Sequence, residues 1–149
     1  MRYFVFRKRR LIVLMICLFV LTSFCIAFPN MRESQTKKNI FTYVQENKDF
    51  LDDYAQSGKD GIGVVLEGHP VKVSYKDEYV DFFCGGSGIG PDGTYYGFYF
   101  SPNDTQMNIA FDQPLEKTKS GYRWEQESGN CYFYTEKIVM NYYFYEYGS

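Results

Sequence analysis

Thr94-Tyr95-Tyr96-Gly97-Phe98-Tyr99-Phe100-Ser101 is the stretch that governs how this chain folds. It carries no charge and is aromatic on both sides of a two-residue period, so it reads as a central strand of a sheet covered on both faces. Ser101-Pro102-Asn103-Asp104 closes it with turn residues. Upstream, Gly63 to Leu66 and Val71 to Tyr75 flank Glu67-Gly68-His69-Pro70, and Val71, Val73 and Tyr75 alternate with Lys72 and Ser74 as in a half-exposed strand. Lys76-Asp77-Glu78 then turns the chain into Tyr79 to Cys84, which places Val80, Phe82 and Cys84 on one face and Asp81 on the other. Downstream, Met107, Ile109 and Phe111 alternate with Asn108 and Ala110, and Tyr122 and Trp124 with Arg123 and Glu125, predicting two more strands. Cys131 to Lys137 and Tyr142 to Tyr147 complete the series, the first of them reached through Ser128-Gly129-Asn130.

Before these strands, Ile40, Phe41, Val44, Leu51, Tyr54 and Ala55 fall at helical spacing, with Thr36 or Asn39 as N-cap and Ser57-Gly58 as stop. One amphipathic helix over roughly residues 38–56 is expected. The resulting class is α+β: that helix packed on a mostly antiparallel sheet of six to eight strands, preceded by an N-terminal membrane helix.

The membrane helix is read from Leu11 to Phe28, eighteen residues without charge, Pro or Gly. At about 1.5 Å per residue it reaches roughly 27 Å, short for a bilayer span but long for the apolar stretch of a cleaved signal. Cys25-Ile26-Ala27 keeps cleavage open as the alternative. Arg2, Arg7, Lys8, Arg9 and Arg10 precede the segment, so its N-terminal flank should stay in the cytoplasm and everything after it lie outside. Three regions follow: residues 1–28 as basic N-terminus and anchor or signal peptide, 29–37 as a short stalk, and 38–149 as one extracytoplasmic domain. Those five cations leave eleven basic residues against all eighteen acidic ones from position 29 onward, a poor surface for nucleic acid.

Chemical motifs are sparse. Gly88-Ile89-Gly90-Pro91-Asp92-Gly93 matches the dinucleotide fingerprint formally, but a turn and a β-pattern follow it where a helix is needed to hold the pyrophosphate. A loop between strands is the simpler reading, and no cofactor is expected. His69 is the only histidine, and neither Cys84 nor Cys131 stands in a nucleophile signature or at metal-ligand spacing, so neither catalytic nor metal residues are assigned. Asp52-Asp53, Asp77-Glu78 and the pair Glu125 and Glu127 read as solvated surface. An even pair of cysteines outside the membrane, Cys84 and Cys131, could close a disulfide or remain two buried thiols. The aromatic content of 20% is the other resource. Rings on both sides of the two Tyr-rich strands exceed what one small core should need, which marks Tyr95, Tyr96, Tyr99, Tyr143 and Tyr145 as candidate binding residues.

Residues 95–104, YYGFYFSPND, with Tyr134-Thr135-Glu136-Lys137-Ile138 and Asn141-Tyr142-Tyr143-Phe144-Tyr145-Glu146, resemble an uncharacterised family of small, tyrosine-rich, membrane-anchored or secreted proteins of Gram-positive bacteria. The similarity covers roughly residues 38–147, and Tyr142 stands where a tryptophan would be expected. The resemblance implies a basic N-terminus, one hydrophobic segment and an outer domain, and it brings no activity with it. The expected function is a membrane-tethered extracytoplasmic binding or interaction module, non-enzymatic, with a protein (a toxin to be neutralised, for example) or cell-wall glycan as partner. A hydrolase of envelope material and an accessory subunit of an envelope complex are the alternatives.

Overall fold

Alternating apolar residues of the later chain pair into one antiparallel sheet of eight strands. The computed structural model describes Met15 and residues 35–88, 93–127 and 129–148. The chain divides into two units, Met1–Lys38 and Asn39–Ser149, and the architecture below is that of the second. Apart from Met15, the segment read as a membrane helix or signal lies outside the described residues, as do most of the stalk and Ile89 to Asp92 of the glycine loop.

The strands are β1 (Gly61–Leu66), β2 (His69–Tyr75), β3 (Val80–Ser87), β4 (Thr94–Phe100), β5 (Glu116–Lys117), β6 (Tyr122–Glu125), β7 (Tyr132–Val139) and β8 (Tyr142–Gly148). Their order in the sheet is β1-β2-β3-β4-β8-β7-β6-β5. Two four-stranded meanders therefore meet along the β4–β8 seam, where Tyr95 faces Tyr147, Gly97 faces Tyr145, Phe98 faces Phe144 and Tyr99 faces Tyr143. The tight links inside each meander follow local chemistry. Glu67 and Gly68, with φ of 50° and 80°, make the two-residue turn between β1 and β2, and Asn141 at φ 73° closes β7 onto β8.

Two helices cover one face. Residues 35–46 form α1 and Lys48–Gln56 form α2. The single expected helix is broken at Asn47, whose φ of −116° and ψ of 23° bend the backbone. Its amide N–H and side-chain Nδ2 both donate to the Tyr43 carbonyl, at 3.0 and 2.8 Å, so the side chain competes for the bond that would continue a straight helix. Ile40 and Val44 from α1, and Leu51 and Ala55 from α2, are buried against Val64, Val71, Val73, Phe82, Phe98 and Phe144. Each large apolar side chain fully removed from water in this layer contributes about 1.5–3 kcal/mol to the favourable side of folding. Phe82 and Phe98 stack at 4.6 Å across β3 and β4. Tyr142 reaches from β8 to α2, its hydroxyl donating to Asp52 at 3.0 Å.

Two expectations about this part of the chain need correction. Residues 107–111 do not join the sheet. Asn108 accepts from the Phe111 N–H at 3.0 Å and donates to the Gln113 carbonyl at 3.2 Å, which curls the segment on itself and removes its backbone from any ladder. The disulfide left open for Cys84 and Cys131 is also absent, because both are free. Cys84 lies on β3 and Cys131 just before β7, with β4 and β8 between them. Three inter-strand steps of about 4.8 Å exceed the Cα separation of roughly 7 Å that a disulfide can span.

Candidate functional site

The face of the sheet away from the helices gathers what chemistry this domain has. The two-residue period sends Asp81 and Phe83 of β3, Tyr95 and Tyr99 of β4, Tyr143, Tyr145 and Tyr147 of β8, and Phe133 and Thr135 of β7 to that side. Tyr99, Phe133, Tyr143 and Tyr145 are buried there beneath a strap formed by residues 101–115, whose Met107, Ile109, Phe111 and Leu115 pack onto them. The rings form a continuous array: Tyr99 on Tyr143 at 5.2 Å, Tyr95 on Tyr147 at 5.2 Å, and Phe111 edge-on to Tyr147 at 6.1 Å.

Hydrogen bonds fasten the first half of the strap to the sheet. Asp104, at φ 51°, accepts from the Asn141 N–H at 2.8 Å and from the Tyr143 hydroxyl at 3.0 Å, and its carbonyl takes a second bond from that hydroxyl at 2.7 Å. Lys137 completes an ion pair with the same carboxylate. These contacts, Lys137 foremost, hold the Asp104 carboxyl below the usual carboxylate range. Further along, the Met107 N–H donates to the Tyr99 hydroxyl at 2.9 Å. The Thr135 hydroxyl is spent on the Phe144 carbonyl at 2.9 Å, so Tyr99 is the donor in the 3.1 Å bond between them. Burial pushes the Tyr99 phenol up to about 12, with those two bonds opposing it, and keeps it a neutral fixed strut.

Asp81 is the one carboxylate on the strand positions of this face that is largely withdrawn from water. Its Oδ1 accepts from Tyr145 at 2.9 Å, and it takes part in no ion pair among the described residues. Desolvation raises its carboxyl to about 6, against the opposing effects of the Tyr145 bond and the charges of Lys76 and Lys72. Beside it, between the sheet and the strap, opens a cleft of about 290 Å³ walled by Tyr79, Phe83, Phe111, Tyr145 and Tyr147 together with Ile109 and Ala110. A second cleft of about 630 Å³ shares Tyr79 and residues 109–111 with the first and continues past Glu78 and Asp112.

The five candidate tyrosines divide. Tyr95, Tyr99, Tyr143 and Tyr145 come together on the strap face, whereas Tyr96 turns to the helix side and packs against that core. Tyr99, Tyr143 and Tyr145 are buried at 0%, 2% and 1% exposure, so they support the cleft from beneath, and Tyr145 alone of the three lines it. Among the described residues no group of three His, Cys, Asp or Glu side chains could hold a metal ion. Tyr79, Phe83, Phe111 and Tyr147 were not read from the sequence as site residues, and Asp81 was placed only on its face of the strand. Two signals could have found them: an aspartate amid the apolar residues of a strand, and a glycine, Gly97, in the centre of an otherwise aromatic one.

No protein-family model, no curated protein and no solved structure matches this chain. Its function is therefore read from the chemistry of the cleft.

Proposed function

We propose that this chain is a membrane-tethered, extracytoplasmic binding module, without catalytic turnover, that takes its ligand in the cleft between the sheet and the strap at residues 101–115. The single observation carrying the reading is the half-buried Asp81, hydrogen-bonded to Tyr145 on one oxygen and set in an aromatic-walled cavity. Aromatic walls with one oriented polar group are the usual make-up of a ligand site. The basic cluster and apolar segment 11–28 support the tether and the outward placement of residues 29–149. The partner presenting the ligand is a protein or cell-wall glycan of the envelope.

A hydrolase remains the second reading because a carboxyl lifted to about 6 is suited to act as a general acid. One experiment separates the two. Immobilised full-length chain in neutral detergent is challenged with solubilised muropeptides and with envelope extract, alongside Phe111→Ala, Tyr147→Leu and Asp81→Asn. Binding predicts retention that both wall substitutions reduce at least five-fold, with no new reducing ends released. Release of reducing ends that Asp81→Asn abolishes while retention persists would establish the enzyme. Retention unaffected by all three substitutions would remove the cleft from either role. Protease added to intact cells should in addition digest residues 29–149, and protection of that part until lysis would reverse the orientation.

A further inference from the structure

The charge around the two clefts selects the chemistry of what they accept. Among the described residues that line them stand three carboxylates, Asp81, Glu78 and Asp112, and no lysine or arginine. An anionic ligand would meet like charge on the lining itself. Asp81 is also incompletely satisfied: Tyr145 occupies Oδ1, and Oδ2 makes no hydrogen bond among the described residues. Since no sealed side-chain oxygen or nitrogen among the described residues lacks a partner, Oδ2 must reach solvent, and Asp81 lines the cleft. The lysines that Asp81 feels, Lys76 and Lys72, are both exposed and form no ion pair with it. A carboxylate left in that state inside an apolar wall lacks one thing, a cation that can enter the cavity.

The walls favour the same class. Aromatic rings attract a positive charge through their quadrupole, most strongly where water is excluded, and they gain nothing comparable from a neutral group of the same shape. The volume of the Asp81 cleft, about 290 Å³, lies at the small end for ligand sites, which excludes a folded peptide and suits a few heavy atoms. We propose that the Asp81 cleft binds a small organic cation, a primary or quaternary ammonium group, paired to Asp81 Oδ2 and enclosed by Phe83, Phe111 and Tyr147. This rests on the cleft being the module's binding site and adds the identity of the group it recognises. Inorganic cations fit less well, because one carboxylate offers too few oxygens to replace a hydration shell.

The test uses the full-length chain in neutral detergent and follows aromatic resonances by NMR while titrating choline, n-butylamine, the uncharged choline isostere 3,3-dimethylbutan-1-ol, and chitotriose. The expected result is saturable binding of choline or butylamine at pH 7.5, with the neutral isostere at least ten-fold weaker. Asp81→Asn should lose ten-fold or more of the cation affinity with its tyrosine near-ultraviolet dichroism unchanged. Should that variant misfold, Tyr147→Leu, which leaves the Asp81 to Tyr145 bond in place, should lose five-fold or more. Equal affinity for the isostere, preference for chitotriose, or full cation affinity in a folded Asp81→Asn would overturn the inference while the cleft stayed a binding site. Absence of any cation binding, with muropeptide or extract retention still sensitive to Phe111→Ala, would overturn it in the same way. Absence of both would overturn the module reading itself.

Discussion

Gly97 on β4 and Tyr145 on β8 face each other in register, and the ring of one fills the space that a side chain on the other would need. A Cβ at position 97 would stand 2.7 Å from the Tyr145 hydroxyl oxygen. It would also press on the Phe82 carbonyl of β3. The missing side chain is what lets Tyr145 lean across β4 and reach Asp81 on the strand beyond.

Gly97→Ala should accordingly overpack a position that backbone surrounds on one side. The expected loss of stability is about 1–3 kcal/mol, read from urea denaturation. Tyr145→Phe keeps the ring and removes only the hydroxyl, so it should cost about 1.5–3 kcal/mol when Asp81 is ionised and less when it is protonated. Tolerance of Gly97→Ala with an unchanged midpoint would disprove the close approach.

Asp81 makes stability depend on pH in an unusual direction. Its carboxyl titrates near 3.8 ordinarily and at about 6 in the folded chain. Between those values the folded state binds more protons than the unfolded one, so the Asp81 contribution falls as pH rises from about 4 to 6. Above that window its full cost is in place, at most about 3 kcal/mol and less after solvent screening of a half-buried group. The charges that act on it are Lys76, just after β2, and Lys72, within β2, while Glu78 and Asp112 line the adjoining cleft. The phenols of Tyr79, Tyr99, Tyr145 and Tyr147 and the Cys84 thiol are all shifted upward, chiefly by burial, and stay neutral over this range. Asp81→Asn should therefore be as stable as the native chain or more so at pH 7.5 and should flatten the profile between pH 4 and 6. Chemical denaturation at pH 4.5, 6 and 7.5 checks this, and a steeper profile in the variant would refute it. Cation binding to the native chain should weaken below pH 6 as the carboxyl protonates.

Tyr143→Phe removes two bonds to Asp104 while keeping the stacked ring. About 1 kcal/mol of stability should go with them. Hydrogen exchange should locate the effect in the strap, with the Met107 and Phe111 amides losing protection and the β3–β4 ladder keeping its own. Uniform loss across the sheet would show that the strap and the sheet open as one unit.

The free thiols give a fourth check. Burial pushes the Cys84 thiol far above its ordinary range, which suppresses the reactive thiolate. In a Cys17→Ser, Cys25→Ser background made in an oxidising compartment, two thiols per chain should label after denaturation. Before denaturation Cys84 should label at least ten-fold more slowly than Cys131. No labelled thiol before reduction, with two per chain after it, would restore the cystine.

The sheet was legible because burial on alternate positions is a local property: Val71 and Val73, Val80 and Phe82, and the double-sided ring pattern of residues 94–100 each report it without knowledge of partners. The same pattern misled at Met107, Ile109 and Phe111. Those residues are packed inward as alternation suggests, but alternation says nothing about where the backbone bonds go, and Asn108 takes them locally. Asn47 hides a bend in the same manner, since the apolar spacing of α1 and α2 is nearly continuous across it. Asp81 was placed correctly on the face opposite Phe82, yet its burial comes from a strap and a tyrosine 64 positions away, a relation that no window of sequence contains.

Placing β8 beside β4 also fixes a timetable. The aromatic-rich strand β4 ends at Phe100, and its second neighbour is not complete until Gly148. At ~5–20 residues per second of synthesis, that edge waits several seconds for its mate. An uncovered aromatic edge of this kind is a template for any strand that meets it, including the same strand on a neighbouring nascent chain. Slow delivery of residues 142–148 is therefore the step at which aggregation would begin.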